Sequence, residues 1–124
     1  MEFLTFVAED KEQGVQVLYK DETVWATQKA MAQLFDCSTD NIGLYLKNIF
    51  KSGELVEDSV TEKNSATAAD GKNYMTKFHN LDAIISVGYR VNSIRATQFR
   101  QWCTYVILQI TPSSAYLSMN DATI

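Results

Sequence analysis

The apolar pattern of residues 25–50 predicts two short helices with a tight turn between them. Met31, Leu34 and Phe35 recur at the three- and four-residue spacing of one helix face, and Thr27 stands where an N-cap oxygen is wanted. Ser38 can cap a second helix, which carries the next apolar stripe. The members of that stripe are Ile42, Tyr45, Leu46 and Ile49.

The turn between the two stripes consists of little more than Asp36 and Cys37. Helices so close in sequence must cross steeply, and the small Ala32 at the crossing lets their backbones approach. Gly53 supplies the left-handed residue that ends the second helix. The arrangement is typical of a helix-turn-helix, whose second helix is the recognition helix. A pair of amphipathic helices that only builds a core has the same spacing, so the pattern leaves both interpretations open.

Alternating apolar positions predict strands on both sides of the helix pair. Two strands are expected between residues 3 and 24, joined around residues 10–14, with a further turn at Asp21 and Glu22. Trp25 is expected to pack on the first helix just before its cap. After the helices, residues 61–68 and 73–78 flank Asp70-Gly71, which predicts a type I′ hairpin. A winged helix carries its wing here, although an ordinary surface hairpin fits equally well.

Two longer apolar stripes predict two further helices after the hairpin. Asn80 can cap the first, and Gly88 and Tyr89 continue its apolar face from Leu81, Ile84 and Ile85. The second helix begins near Ser93 and is stopped by Pro112. Its inward positions are Phe99, Trp102, Cys103, Val106 and Ile110, and its outward positions are Arg95, Gln98 and Gln101.

The predicted fold class is therefore α+β. We expect a helix-turn-helix (winged-helix-like) core with N-terminal strands, a β-hairpin wing and two further helices. Residues 1–110 form the one expected domain, and residues 111–124, which show no periodicity, form a loose C-terminal tail. The longest apolar run is too short to span a bilayer, and no basic leader precedes the first strand. We therefore expect a cytoplasmic protein.

The chain offers no legible catalytic or metal-binding constellation. Cys37 and Cys103 lack ligand spacing, so both are expected to be buried thiols, and His79, the single histidine, is expected at a turn or on the surface. No glycine-rich phosphate loop occurs. We expect no enzyme, no cofactor and no metal.

The net charge of -4 argues against indiscriminate binding to polyanions. Its distribution is uneven, because acidic residues crowd the first strands while cations dominate residues 72–100. Those cations are Lys72, Lys77, Arg90, Arg95 and Arg100, which meet only Asp82. A local positive face is therefore compatible with the acidic balance.

The start of the second helix offers small polar side chains suited to reading DNA. Ser38 and Thr39 can bind phosphate or base edges, Asn41 can pair with adenine, Asp40 can accept from cytosine, and Leu44 can touch a thymine methyl. Asp40 fits a DNA-binding set less well than the others. Its carboxylate is repelled by DNA phosphates unless it accepts a hydrogen bond from a cytosine amino group.

Cations complete the predicted DNA-binding set. Lys47 and Lys51 would neutralise phosphates, although stabilisation of the helix C-terminus explains their placement equally well. Lys72 and Lys77 would lie along the wing. The remaining members of the set are Gln28 and Arg95.

Several segments together resemble the RhuM family of bacterial virulence-associated proteins. They are residues 24–25, 27–29, 31–32, 46–50 and 53–55, and above all residues 80–93, from Asn80 to Ser93, with 95–100 and Trp102. The resemblance covers about residues 15–106 and implies a DNA-binding domain at the N-terminus of a longer protein, found near restriction systems and mobile elements. The end of this region is also similar to the N-terminal domains of phage antirepressors and Bro-type proteins.

Two departures from the family pattern qualify the resemblance. Family members continue with further helical sequence, whereas Thr111-Pro112 breaks the helix here, so a truncated member or a fragment is expected. Ile94 stands where relatives commonly carry a basic residue, which thins the positive surface.

The sequence thus predicts a sequence-specific DNA-binding module that acts in transcriptional or mobile-element control. Its partner would be double-stranded DNA, and we expect a homodimer because one recognition helix reads few base pairs. The alternative is a protein-interaction adaptor on a degenerate helix-turn-helix fold, which the acidic balance favours. A weaker alternative is a toxin-like effector whose active part lies elsewhere.

Overall fold

The computed structural model describes residues 2–8 and 13–110. This part of the chain has the α+β fold that the sequence predicts. Its strands are β1 (Glu2–Phe6), β2 (Val15–Lys20), β3 (Thr23–Thr27), β4 (Thr61–Thr67) and β5 (Asn73–Asn80). Its helices are α1 (Gln28–Phe35), α2 (Thr39–Lys51), α3 (Glu57–Val60), α4 (Leu81–Val91) and α5 (Ser93–Ile110). The five strands form one antiparallel sheet in the order β1-β2-β3-β5-β4.

Side-chain caps fix the starts of three helices where the sequence predicts them. Thr27, Ser38 and Asn80 each accept a hydrogen bond from the backbone N–H three residues on, at 3.0, 3.1 and 3.3 Å. Gly53 follows α2 with a φ of +80°, the left-handed conformation that ends a helix. The single turn α3 was not predicted, since residues 54–60 read as a polar connection.

The turn between α1 and α2 is made by a non-glycine residue in the left-handed region. Asp36 has a φ of 55°, and its backbone N–H donates to the Ala32 carbonyl. The next backbone N–H, from Cys37, donates to the same carbonyl at 3.0 Å. Two bonds to one acceptor close the end of α1 and let α2 begin three residues later.

The main core lies between the helices and one face of the sheet. Met31, Leu34 and Ile42 from the first two helices are fully buried in it. Phe99 of α5 is fully buried as well and meets Phe6 edge to face, with ring centroids 5.3 Å apart. At Gly88 of α4 a Cβ atom would come within 2.5 Å of the Phe35 ring, so the glycine allows this close approach.

Trp25 lies on the opposite face of the sheet from the one predicted. Side chains alternate along a strand, and its neighbours Val24 and Ala26 belong to the main core. Trp25 is buried instead with Leu18 and Phe78 in a second, smaller cluster. Its indole N–H donates to the Lys20 carbonyl at 3.0 Å. The expected contact with α1 is therefore wrong.

The predicted hairpin is confirmed, but the predicted type of its turn is wrong. Gly71 has a φ of +81°, whereas Asp70 is not left-handed, and a type I′ turn needs both residues there. The N–H of Gly71 donates to the Ala68 carbonyl at 3.0 Å, and the N–H of Ala68 donates to the Lys72 carbonyl at 2.8 Å. This is a three-residue loop whose last residue is the left-handed glycine.

The last two helices differ in detail from their predicted faces. The buried residues of α4 are Ala83, Ile84, Val87 and Gly88, and Tyr89 is exposed. In α5, Cys103 is fully buried and burial raises the pKa of its thiol to about 12, while Ile110 is exposed. Cys37 is only partly buried. Pro112 and the predicted tail lie outside the described residues. Among the helices described, none combines the length and apolarity needed to cross a membrane.

Candidate nucleic-acid interface

The outer face of α2 is open to solvent. Its inner face buries Ile42, Leu46 and Ile49, and Leu44 on the outer face is 59% exposed. The other predicted DNA-binding residues of this helix are also exposed: Thr39, Asp40, Asn41, Lys47 and Lys51. Ser38, which caps the helix, is exposed too. The structure therefore brings this part of the predicted set together on one surface.

That surface is wide rather than linear. At 3.6 residues per turn, Asn41 and Lys47 point about 120° apart around the helix axis, and Leu44 lies between them. Lys47 faces the side of α2 toward β5, because it lines a cavity shared with that strand. A partner that contacts Asn41 and Lys47 at the same time must therefore curve around part of the helix.

Gln28 joins the start of α1 to the start of α2. Its side-chain amide donates to the backbone carbonyl of Thr39 at 2.6 Å. Gly43 of α2 makes room for it, since a Cβ there would lie 2.9 Å from the Gln28 amide nitrogen. The DNA contact of Gln28 stays a prediction, and its amide group already binds the backbone of α2.

A cavity of about 520 Å³ lies between α2, the N-terminus of α1 and β5. Leu46 and Phe50 provide apolar wall, and Lys29, Lys47 and Lys77 provide the cations. The other lining residues are Thr27, Gln28, Gly43, Glu57, Thr76 and His79. The cavity thus adjoins the outer face of α2 on the side of the hairpin.

Lys77 is not a free cation. Its ammonium group lies 3.0 Å from a carboxylate oxygen of Glu57 on α3, and both side chains are about half exposed. Lys63 of β4 stands directly opposite Lys77 in the strand register. Directly opposite residues share a face of the sheet, so the two lysines lie on the same side of the hairpin.

His79 is buried, contrary to the expected turn or surface position. It is 4% exposed and pairs with Ala26 across the sheet, on the face that carries the main core. Burial lowers the pKa of its imidazole, and the nearby Ala26 carbonyl opposes part of this effect. Its Nδ1 has no hydrogen-bond partner of good geometry among the described residues. The prediction failed because β5 extends to Asn80, so residue 79 lies within the strand.

The tip of the hairpin is ordered by a carboxylate. Asp70 accepts from the backbone N–H of Lys72 at 2.9 Å and from the Tyr74 hydroxyl at 2.6 Å. These two hydrogen bonds lower the pKa of the Asp70 carboxyl, with the tyrosine making the larger contribution. The exposed side chain of Lys72 therefore shares the tip with a negative charge.

Arg95 cannot belong to an exposed DNA surface. It is 6% exposed, and its guanidinium donates to the backbone carbonyl of Leu34 at 3.0 Å. That carbonyl is in the last turn of α1, where helix carbonyls lack intrahelical donors. The predicted outward position of Arg95 is wrong, because it serves this carbonyl from within the core.

The predicted positive face over residues 72–100 is also interrupted. Arg90 pairs with Glu54 and donates to the Ser86 carbonyl at 2.8 Å, and its guanidinium lowers the pKa of the Glu54 carboxyl. The sequence interpretation missed two further cations: Lys29, which lines the cavity beside α2, and Lys63, which shares a face of the hairpin with Lys77. Lys29 is the second residue of α1, whose start at the Thr27 cap was predicted. Its position next to that cap could have placed it at the same end of the helix as Gln28.

The fold and this surface define a small α+β domain with an exposed, capped helix beside a lysine-bearing hairpin. The sequence model of the virulence protein RhuM family matches residues 59–121, just over half of the chain. The chain belongs to the RhuM family, as its sequence resemblance indicated. No curated protein and no solved structure matched the chain. The matched segment begins after α2, so the arguments about that helix come from its structure.

Proposed function

We propose that this domain binds double-stranded DNA, with α2 as its recognition helix and the β4–β5 hairpin as its wing. The observation that carries this function is the polar outer face of α2. Ser38 caps the helix, Gln28 fixes its first turn, and the side chains of Thr39, Asn41 and Lys47 stand in solvent. A rigid helix with exposed polar residues in its first turns is what reading the major groove requires.

Each exposed group has a distinct role in this interface. Asn41 can bond both polar edges of an adenine, and the methyl groups of Leu44 can contact a thymine. Lys47 and Lys51 neutralise phosphates, while the hairpin lysines Lys77 and Lys72 reach the backbone beside the groove. Asp40 lowers affinity for phosphate and favours a cytosine amino group.

The charge of the chain implies modest affinity for a single copy. The net charge is -4, and Glu57 already partners Lys77 within the interface. Few released counterions mean weak nonspecific binding. We therefore propose that a homodimer binds two half-sites, with a role in transcriptional or mobile-element control, and that the domain performs no catalysis.

Selection from random duplexes, scored by gel shift, tests this function. Asn41→Ala should relax base preference at one position, whereas Lys47→Gln should weaken binding to all sequences alike. Arg100→Gln is the matched control, since Arg100 is exposed on α5 and lies outside the proposed interface. Failure to enrich any sequence, or the same effect from both variants, would remove the assigned roles.

A protein-interaction adaptor is the second candidate, and Leu44 favours it. This apolar side chain is 59% exposed in the middle of the outer face of α2, where a protein partner would bury it. Absence of duplex binding even at low salt would favour the adaptor. In that case Leu44→Ala should abolish partner binding while Lys47→Gln leaves it nearly unchanged.

A further inference from the structure

The two edges of the antiparallel sheet differ in what they present to solvent. The strand order places β1 at one edge and β4 at the other. β4 carries Glu62 and Lys63 and has no large apolar side chain, and charged residues on an edge strand hinder pairing with another chain. β1 has a single charge, at its first residue, Glu2, and it contains neither lysine nor proline. Its edge therefore lacks the features that keep a further strand away.

The backbone of β1 can bond a strand on its outer side. An edge strand bonds its neighbour through alternate residues, and the N–H and C=O groups of the residues between them point outward. Among the described residues β1 pairs with β2 alone, in a register that matches Phe3 with Leu18 and Phe6 with Val15. The outward groups of β1 can therefore form a new ladder with a strand that joins the sheet.

The apolar side chains at this edge are incompletely covered on both faces of the sheet. On the face away from the helices, Phe3 lies opposite the buried Leu18 and is 50% exposed. On the core face, Leu4 is only partly buried. Trp102 of α5, whose ring centroid lies 5.3 Å from that of Phe6, is also only partly buried. A strand added beside β1 would cover apolar surface on both faces at once.

We propose that β1 pairs with β1 of a second copy, antiparallel and about a two-fold axis, so that two five-stranded sheets become one sheet of ten strands. All five residues of the strand pair when Leu4 of each copy lies opposite Leu4 of the other. Phe3 then lies opposite Thr5 of the second copy, and Glu2 lies opposite Phe6. No like charges are directly opposite, so the strand is complementary to itself.

The geometry of this dimer suits two half-sites. A two-fold axis perpendicular to the sheet keeps the helices of both copies, including both α2 helices, on the same face of the ten-stranded sheet. The role of the dimer in binding DNA rests on the proposed function, whereas the interface itself does not. The net charge of -4 on each copy opposes association, and salt screens this repulsion. Dimerisation should therefore strengthen with salt, whereas duplex binding weakens.

Sedimentation equilibrium of the full chain without DNA tests the interface. Because a single strand pair buries less than a standard interface, we expect a dissociation constant on the order of 10 μM and samples from about 1 to 300 μM. Phe3→Glu places carboxylates of the two copies at diagonal positions and should weaken dimerisation about tenfold. Tyr89→Glu is the matched control and should leave it unchanged, because Tyr89 is an aromatic residue of α4 that is 48% exposed.

Hydrogen exchange on the same samples locates the contact. Amides of β1 that do not donate to β2 should become protected as the concentration rises, and the outward amides of β4 should not. A monomer at every concentration, a dimer whose β1 amides stay unprotected, or equal effects of the two substitutions would overturn the interface. Dimerisation through β1 without any duplex binding keeps the interface and rejects the proposed function. Cooperative binding to two half-sites that Phe3→Glu leaves intact keeps the function and rejects the interface.

Discussion

The helices α2 and α5 differ in how reliably a cation in their sequence marks an exposed position. Lys47 and Lys51 of α2 stand in solvent, whereas Arg95 of α5 is buried and bonded to the Leu34 carbonyl of α1. Apart from Leu44, the exposed side of α2 carries polar residues opposite a clear apolar stripe, so its outward face can be predicted. In α5, apolar side chains also lie outside, with Ile94 73% and Tyr105 63% exposed. A cationic residue therefore indicates an exposed position only in a helix whose opposite side carries a well-defined apolar stripe.

Replacing Arg95 should produce the largest change in stability. Arg95→Met keeps much of the buried stem but leaves the Leu34 carbonyl without this donor. We expect a loss of about 2 kcal/mol in the free energy of unfolding, measured by urea denaturation. Arg100→Met on the exposed side of the same helix should change it by less than about 0.5 kcal/mol. Equal effects of the two substitutions would contradict the buried role.

The contact between Gln28 and Gly43 should appear as coupling in a double-mutant cycle. Gln28→Ala removes the bond to the Thr39 carbonyl and should cost about 1 kcal/mol. Gly43→Ala should bring no gain in the natural chain, because its Cβ displaces the Gln28 amide. In the Gln28→Ala background it should stabilise α2 by about 0.5–1 kcal/mol. Additive effects in urea denaturation would show that the two residues are independent.

The smallest effect expected is the pH dependence that arises from His79. Its pKa is lowered in the folded chain, so the unfolded chain binds the proton more tightly. Stability should therefore decrease as the pH falls below about 6.5, the ordinary histidine value, until the folded-state pKa is passed. Denaturation midpoints across this window should decline for the natural chain and stay flatter for His79→Gln. Glu54 and Asp70, whose pKa values are lowered, lose their contributions only at more acidic pH.

Local signals in the sequence predict the framework well. The caps at Thr27, Ser38 and Asn80 and the left-handed Gly53 all depend on residues within one turn of each other. The same reasoning located the hairpin around Gly71, although it misjudged the length of the loop. The exposed residues of α2 were also predicted, because one helix alone determines which side is polar.

Long-range features escaped prediction because they depend on which elements meet. Alternation along β3 shows that Trp25 and Ala26 face opposite ways, but not which of these faces the helices cover. His79 is buried because its side chain lies on the core face of the sheet, beside Ala26, and the cavity that it lines combines residues from five elements. Arg95 lies in the core beside the Leu34 carbonyl, to which it donates, and the two residues are 61 positions apart in the sequence.

Salt dependence of duplex binding tests the recognition role of α2 most directly. Affinity for a labelled duplex is measured by fluorescence anisotropy between about 50 and 200 mM salt for the natural chain, Lys47→Gln and Arg100→Gln. The logarithm of affinity should fall linearly with that of salt, and Lys47→Gln should reduce the slope by about 0.9 while Arg100→Gln leaves it unchanged. No binding at the lowest salt, or an unchanged slope for Lys47→Gln, would contradict a DNA contact through the outer face of α2.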